Sequence, residues 1–174
     1  MMKDAATEVL RQELEALKQK IIAQHIAAGQ KASGRTIASI HVEVKESDQE
    51  DEGILFGRNA FGTLETGRKP GKVPYNFVDI IRQWMSDKGI TAPAIPYKTD
   101  RPHKYTAEER GARSMAYLIA RKIKKQGTSL FRAGGRADIY SNVIPDATER
   151  IKQRVVELLG KEVKSIKINK IEIQ

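Results

Sequence analysis

The chain has 174 residues, 40% hydrophobic and 30% charged, which is enough apolar content for a buried core and excludes an intrinsically disordered chain. It contains no cysteine, so disulfides, thiolate metal sites and a cysteine nucleophile are excluded. Its net charge is +9, and we find no apolar run of the kind that a membrane span or a signal peptide needs.

The positive charge is concentrated in the middle of the chain. Residues 67–136 hold 16 basic and 5 acidic residues, a net charge of +11, whereas residues 31–66 have a net charge of −3. Such a block indicates a basic surface with an acidic partner, and a plain solubilising surface is the alternative.

The N-terminal third predicts a helix followed by a β-hairpin. Apolar residues recur at helical spacing at Leu10, Leu14, Leu17, Ile21 and Ile22, and Gly29 can end that helix. The segment "SIHVEV" alternates apolar and polar residues, which predicts a half-buried strand. The segment "GILFGR" predicts a second strand with Ile54 and Phe56 facing inward, across the acidic turn "KESDQEDEG".

Two amphipathic helices are predicted in the basic block. The first has its apolar stripe at Phe77, Ile80, Ile81, Trp84 and Met85. Asn76 is its N-cap, Tyr75 and Ile80 are spaced for a hydrophobic staple, and Gly89 ends it. A proline-rich exposed loop at 91–104 follows. The second helix then starts with a Thr106–Glu109 capping box and ends at Gly127.

The remaining segments predict a loop, a helix and a strand. A loop over 127–140 contains Gly134 and Gly135, and a helix runs from about Ser141 to Leu159, with Gly160 as its terminator. The tail 161–174 alternates isoleucines with polar residues, which predicts a C-terminal edge strand. The whole is predicted to be a single α+β domain, 1–174, with an N-terminal helix (1–29), a hairpin plus helices (30–160) and that strand in a small antiparallel sheet.

Two apparent ligand motifs fail on spacing. In "GRKPGKV" only three residues separate Gly67 from Gly71, and Val73 stands where a P-loop needs a hydroxyl, so a basic turn is the better interpretation. The acidic turn resembles a calcium loop but has Asn59 at the position of the bidentate glutamate. No histidine set has ligand spacing and no nucleophile motif is present, so we expect no catalytic residues, no metal and no cofactor.

The basic block could instead contact phosphates. Its candidate cations for an interface or for DNA are Arg68, Lys69, Lys72, Arg101, Lys104, Arg121, Lys122, Lys124, Lys125, Arg132 and Arg136. Most of those on the second helix lie opposite its apolar stripe, which is equally true of a solvated helix face. Aromatic residues for base stacking are scattered here, so sequence-specific recognition is not expected.

Four segments together resemble a known family. The segments "SGRTIASIHVEV", "FGTLETGRKPGKVP" and "AYLIARKIKKQGTSLFRAGGRADIYS", followed by a closing helix, are similar to neck and tail-completion proteins of tailed bacteriophages, covering about Ser33 to Leu159. The segment "ETGRKPGKVP" is most similar to versions from Bacteroides-type and crAss-like phages. The loop at 91–104 is longer than the minimal family pattern, so it is either a contact arm or a local insertion.

The resemblance implies a structural virion protein and not an enzyme. It implies a homo-oligomeric ring, six- or twelvefold, between portal and tail, with other neck, portal and tail proteins as partners and no membrane partner. Location in the virion, and in the host cytoplasm during assembly, would follow. The acidic residues Asp48, Glu50, Asp51 and Glu52 could face a neighbour's basic block. Basic residues could also line a channel through which DNA passes, contacting its phosphates without sequence preference. A non-specific nucleic-acid-binding module is the alternative.

Overall fold

The computed structural model describes residues 2–47, 50–99 and 102–165 and has an α+β architecture, as predicted. Its elements in chain order are α1 (Met2–Ala27), α2 (Arg35–Ala38), β1 (His41–Glu46), β2 (Asp51–Phe56), a 3-10 turn (Asn59–Gly62), α3 (Thr63–Thr66), α4 (Phe77–Asp87), α5 (Ala107–Gln126), α6 (Ser129–Arg132) and α7 (Val143–Ser165). Within these ranges the sheet is one antiparallel pair, β1–β2, and no helix combines the length and apolar character needed to cross a membrane.

The chain divides into two compact units. Unit 1 contains Met1–Ala28, Ala38–Arg58 and Ala137–Gln174, and unit 2 contains Gly29–Ile37 and Asn59–Arg136. By sequence, unit 1 has 13 basic and 16 acidic residues, a net charge of −3, whereas unit 2 has 18 basic and 6 acidic residues, a net charge of +12. A single domain over 1–174 stays a prediction.

Unit 1 is built on the pair α1 and α7, with the hairpin packed against α1. Its buried apolar residues are Val9, Leu14, Leu17, Ile21, Ile40, Ile139, Val143 and Ala147. The mostly buried carboxylate of Glu13 on α1 accepts hydrogen bonds from Arg150 Nε (3.2 Å) and Arg154 Nη1 (2.8 Å) on α7. The hydrogen bond from Arg154 holds the pKa of Glu13 below its usual range, partial burial opposes it, and Arg150 adds to the lowering.

The inward face of β2 differs from the predicted one. Val42 pairs with Leu55 and Val44 with Gly53, so Leu55 shares the apolar face of β1. Phe56 instead pairs with His41 and stacks on its ring, at a centroid distance of 5.2 Å, on the opposite face. The prediction that Ile54 and Phe56 face inward is therefore wrong. Gly53 lies directly against α1, because a Cβ there would be 2.4 Å from Cδ1 of Leu14.

Unit 2 is built on the packing of α4 against α5. Its core is formed by Phe77, Ile81, Met85, Ala116 and Ala120. The capping box at the start of α5 is confirmed, with Thr106 N donating to Glu109 Oε2 (3.0 Å) and Glu109 N donating to Thr106 Oγ1 (3.2 Å). Gly89 follows α4 with a φ of 65°, as predicted for a left-handed terminator.

Three local predictions are corrected. Asn76 precedes α4 but its side chain makes no capping hydrogen bond, and Tyr75 is fully exposed, so there is no hydrophobic staple. The loop over 127–140 contains the short helix α6. Finally, α7 continues through Gly160 to Ser165, so residues 161–165 are helical, while the rest of the predicted C-terminal strand lies outside the described residues.

The loop at 91–104 is attached to α5 over its described part. Ile95 N donates to Ala107 O (2.9 Å), and Arg110 Nη1 donates to Pro96 O (3.1 Å). Gly111 of α5 allows the backbone of Pro93 to approach closely, because a Cβ at Gly111 would be 2.0 Å from Pro93 O. These contacts favour a packed insertion over a contact arm that projects from the protein.

Candidate interaction surface

The basic turn after Gly67 is joined to the C-terminal end of α5 by backbone contacts. Arg68 and Thr128 exchange two hydrogen bonds, Arg68 N to Thr128 Oγ1 (3.0 Å) and Thr128 N to Arg68 O (2.9 Å). Gly71 N donates to Lys124 O (2.9 Å). The approach is close enough that a Cβ at Gly67 would be 2.5 Å from the backbone N of Phe131, and Gly67 also has a φ of 68°. Two segments 60 residues apart thus form one surface.

These contacts show why the turn does not cradle a phosphate. The amides of Gly67, Arg68 and Gly71 donate to protein acceptors, and Pro70 has no amide hydrogen to offer. A phosphate site of the P-loop kind needs several consecutive amides that point into an open loop. The side chains of the turn, not its backbone, are what it presents to a partner.

Eight cations surround this junction, and we call them the basic cluster. They are Arg68, Lys69, Lys72, Arg121, Lys122, Lys124, Lys125 and Arg132. Two of them are held in place: Arg68 Nη2 donates to Lys72 O (2.8 Å) with its guanidinium 5.4 Å from the ring centroid of Phe77, and Arg132 Nη1 donates to Gly127 O (3.0 Å). Because their side chains are already ordered, they lose less entropy when an anion binds.

The cluster has no internal compensation. Within the described ranges, no carboxylate forms an ion pair with any of the eight cations. Lys124 and Lys125 lie in the last turn of α5, where the helix dipole stabilises a positive charge by about 0.3–1 kcal/mol. Stabilisation by the helix dipole applies only to those two lysines. The other six cations lie near like charges and repel them, and an anionic partner would reduce this repulsion.

Three predicted cations fall outside the cluster. Lys104 lies before the start of α5, and Arg121, the first cluster residue along that helix, is 14 residues beyond Ala107, about 21 Å at 1.5 Å per residue. Its Nζ is 5.5 Å from the ring centroid of Tyr105. Arg136 lies beside α3, where its backbone N donates to Glu65 O (2.9 Å). Arg101 lies outside the described residues.

The acidic candidates lie around the hairpin turn of unit 1. Glu50 and Glu52 are exposed, and Glu52 pairs with Lys45 across the hairpin at 3.8 Å. Asp51 is half-buried and accepts a hydrogen bond from Thr7 Oγ1, so it helps to attach the hairpin to α1. Asp48 lies outside the described residues. Among the described acidic candidates, Glu50 and Glu52 are therefore the ones that a neighbour could reach.

Two grooves flank the basic cluster. The tyrosine groove has a volume of about 370 Å³ and is lined by Tyr75, Tyr117, Arg121, Lys124 and Lys125, among others. Both tyrosines are exposed. Sequence reasoning treated the aromatic residues as scattered, and it missed that folding brings these two to the same groove as three cations. The second, the α4–α5 groove, has a volume of about 470 Å³ and is mainly apolar.

The arrangement is suited to binding. In the described part of the chain, no three histidine or acidic side chains come together in a way that could hold a metal ion. The surface instead combines unpaired cations, exposed aromatic rings and an open apolar groove. Comparisons with protein-family models, curated proteins and solved structures find no match for this chain.

Proposed function

We propose that this chain is a structural virion protein of a tailed phage, a head–tail connector, neck or tail-completion subunit that forms a ring between portal and tail. The observation that supports it best is the opposite charge of the two units, −3 and +12. A ring built head to tail joins two different surfaces of the same chain, so a protomer with complementary surfaces can bind its own copies. The four-segment resemblance to neck proteins points to the same role.

The proposed contact joins the acidic hairpin turn of one copy to the basic cluster of the next. Glu50 and Glu52 are exposed on that turn, and none of the eight cluster cations has an ion-pair partner among the described residues. Complementary charge of this kind mainly speeds association and fixes the register of an interface. A stable ring contact must also bury roughly 1,000 Å² or more of surface.

The position of the chain in an intact particle tests this function. Purified virions are digested and analysed by mass spectrometry, and the neck is imaged by electron microscopy. We expect peptides of this chain in the particle and ring-shaped density that fits units 1 and 2 between portal and tail. If the chain is absent from purified particles, or lies in the capsid or the tail fibre, the proposed function is wrong.

The tyrosine groove favours a second candidate, binding of nucleic acid without sequence preference. Tyr75 and Tyr117 line one groove together with Arg121, Lys124 and Lys125. Exposed aromatic rings beside cations are typical of surfaces that stack unpaired bases, and each stacked base contributes about 1–3 kcal/mol. Since a duplex keeps its bases paired, the tyrosines would favour single strands.

Fluorescence anisotropy with labelled dT20 and a 20-base-pair duplex, over 50–300 mM salt, tests this candidate. If the groove stacks bases, Tyr75→Ala and Tyr117→Ala each weaken dT20 binding by about tenfold while leaving duplex binding unchanged. Tyr97→Ala is the matched control, because Tyr97 lies on the 91–104 loop and stacks on His103 instead. Equal loss for both nucleic acids would reject stacking.

A further inference from the structure

The α4–α5 groove is an apolar surface that the core of unit 2 leaves open. Of the five residues in the apolar stripe of α4, Phe77, Ile81 and Met85 are buried in the core. Ile80 and Trp84 are 44% and 39% exposed and line the groove, together with Ile119 and Ile123 of α5. The stripe is thus wider than the surface that α5 covers.

The edge of this groove is cationic. Arg68, Lys122 and Arg132 line it, and no acidic residue is among the residues that form it. Arg68 and Arg132 are held by backbone carbonyls, those of Lys72 and Gly127. An apolar floor with ordered cations at its edge favours an occupant that has one apolar face and carboxylates beside it.

We infer that the α4–α5 groove binds an acidic amphipathic helix of a partner protein. Helices commonly bind in grooves through anchors at i, i+3 or i+4 and i+7. With 11 residues, α4 is about 16 Å long, which matches three turns of a docked helix. The apolar anchors of the docked helix enter between α4 and α5. Acidic residues next to these anchors pair with Arg68, Lys122 and Arg132, as charge complementarity requires. This inference holds whether or not the chain forms a ring.

Binding to the groove can be followed by tryptophan fluorescence, because Trp84 lines the groove and is the only tryptophan in the chain. The probe is a synthetic 14-residue helical peptide without tryptophan, with leucine at i, i+3, i+4 and i+7 and glutamate beside these positions. A peptide of the same composition in scrambled order removes the stripe and keeps the charge. A third peptide replaces each glutamate with lysine and keeps the stripe.

We expect the acidic striped peptide to shift the emission of Trp84 to shorter wavelength and to bind at least tenfold more tightly than either control peptide. Lys122→Glu and Ile80→Gln should each weaken it by about tenfold. Lys98→Glu is the matched control: it makes the same charge change at an exposed residue of the 91–104 loop, outside this groove and outside the basic cluster, and should alter affinity less than twofold. Circular dichroism confirms that each variant remains folded.

Several outcomes would overturn the inference. Equal binding of the scrambled peptide would show attraction by charge alone, and equal binding of the lysine peptide would show attraction by the apolar floor alone. An equal loss with Lys122→Glu and Lys98→Glu would place the contact outside the groove. Decanoate that binds while the striped peptide does not would assign the groove to small anionic amphiphiles. No binding of the striped peptide at 1 mM would also reject it.

Discussion

Units 1 and 2 use charge and apolar surface in opposite ways. In unit 1 the mostly buried carboxylate of Glu13 is paired with Arg150 and Arg154, and Asp51 is bonded to Thr7. In unit 2 the basic cluster has no acidic partner among the described residues, and Ile80 and Trp84 are left partly exposed beside it. Unit 1 thus pairs the carboxylates of Glu13 and Asp51 within itself, whereas unit 2 presents cations and apolar side chains that a partner could contact.

The largest effect is expected from exchanging the charges of the two units. Lys124→Glu with Lys125→Glu, or Glu50→Lys with Glu52→Lys, should each abolish assembly, because like charges then meet at the proposed contact. All four changes together restore complementarity and should restore the ring. Native mass spectrometry and negative-stain microscopy in low salt provide the measurement.

The matched control for this exchange is Lys98→Glu with Lys104→Glu. It makes the same charge change in unit 2, outside the basic cluster, and should leave assembly unchanged. If the variant with all four substitutions stays monomeric while the wild type forms rings, the hairpin turn does not contact the basic cluster. The charge difference between the two units would then not explain the interface.

A second prediction compares the helical glycines of the two units. Gly111→Ala in α5 should cost about 2–3 kcal/mol of unfolding free energy, because the new Cβ meets the backbone oxygen of Pro93 at 2.0 Å. Gly160→Ala in α7 meets nothing within 4 Å and should gain about 0.5–1 kcal/mol through helix propensity. Urea unfolding followed by circular dichroism measures both. A neutral or stabilising Gly111→Ala would mean that the loop at 91–104 is free to move off α5.

A third prediction concerns the compensated charge of unit 1. Glu13→Gln should lower the unfolding free energy by about 1–2 kcal/mol at pH 7, since it weakens two charge-assisted hydrogen bonds. The pKa of Glu13 is lowered in the folded protein, so its contribution is complete above the unfolded pKa and is lost as pH falls through the folded pKa. The difference between wild type and variant should therefore disappear in acid.

Urea titrations from pH 7 down to about pH 3 measure that difference. Glu15→Gln is the control, an exposed glutamate of α1 whose hydrogen bonds to Lys18 and Gln19 are local, and its effect should stay below about 0.5 kcal/mol. A Glu13→Gln effect that persists unchanged at low pH would contradict the pairing of α1 with α7 through this carboxylate.

Helix position was largely predictable from the sequence, and strand register was not. The capping box at Thr106 and the stripe of α4 are local signals, so α4 and α5 were placed correctly. In "GILFGR" three apolar residues are consecutive, so alternation cannot choose between Ile54 with Phe56 and Leu55. The close packing of Gly53 on α1 fixes the choice, and that contact is tertiary. Gly160 was expected to stop α7, yet it has no positive φ and simply continues the helix.

The candidate surface was predicted in composition but not in arrangement. The eight cations of the basic cluster were all identified from charge, but their meeting involves the Arg68–Thr128 pair, which joins residues 60 apart. No local pattern encodes such a contact. The tyrosine groove was missed for the same reason, because Tyr75 and Tyr117 belong to different elements. The exposure of Ile80 and Trp84 was also missed, since a stripe pattern does not say how much of the stripe a neighbour covers.

The smallest expected effect tests that long-range pair. Thr128 Oγ1 accepts hydrogen bonds from Arg68 N (3.0 Å) and from Phe131 N at the start of α6 (3.3 Å). Thr128→Ala removes the acceptor of both hydrogen bonds and should cost about 1 kcal/mol, the usual effect of losing an N-cap. Thr148→Ala is the control, because that exposed hydroxyl donates only to Ile144 O within α7 (3.0 Å) and should change stability little.

Amide hydrogen exchange separates the local effect of Thr128→Ala from the global one. The amides of Arg68 and Phe131 should lose protection, whereas those of α1 and α7 in unit 1 keep theirs, because the pair lies wholly within unit 2. Thr128→Ser retains the hydroxyl and should restore protection. If Thr128→Ala leaves the exchange of Arg68 unchanged, then the basic turn is held at the end of α5 by its two backbone hydrogen bonds, Thr128 N to Arg68 O and Gly71 N to Lys124 O. The surface of unit 2 would then be less preorganised than its hydrogen bonds indicate.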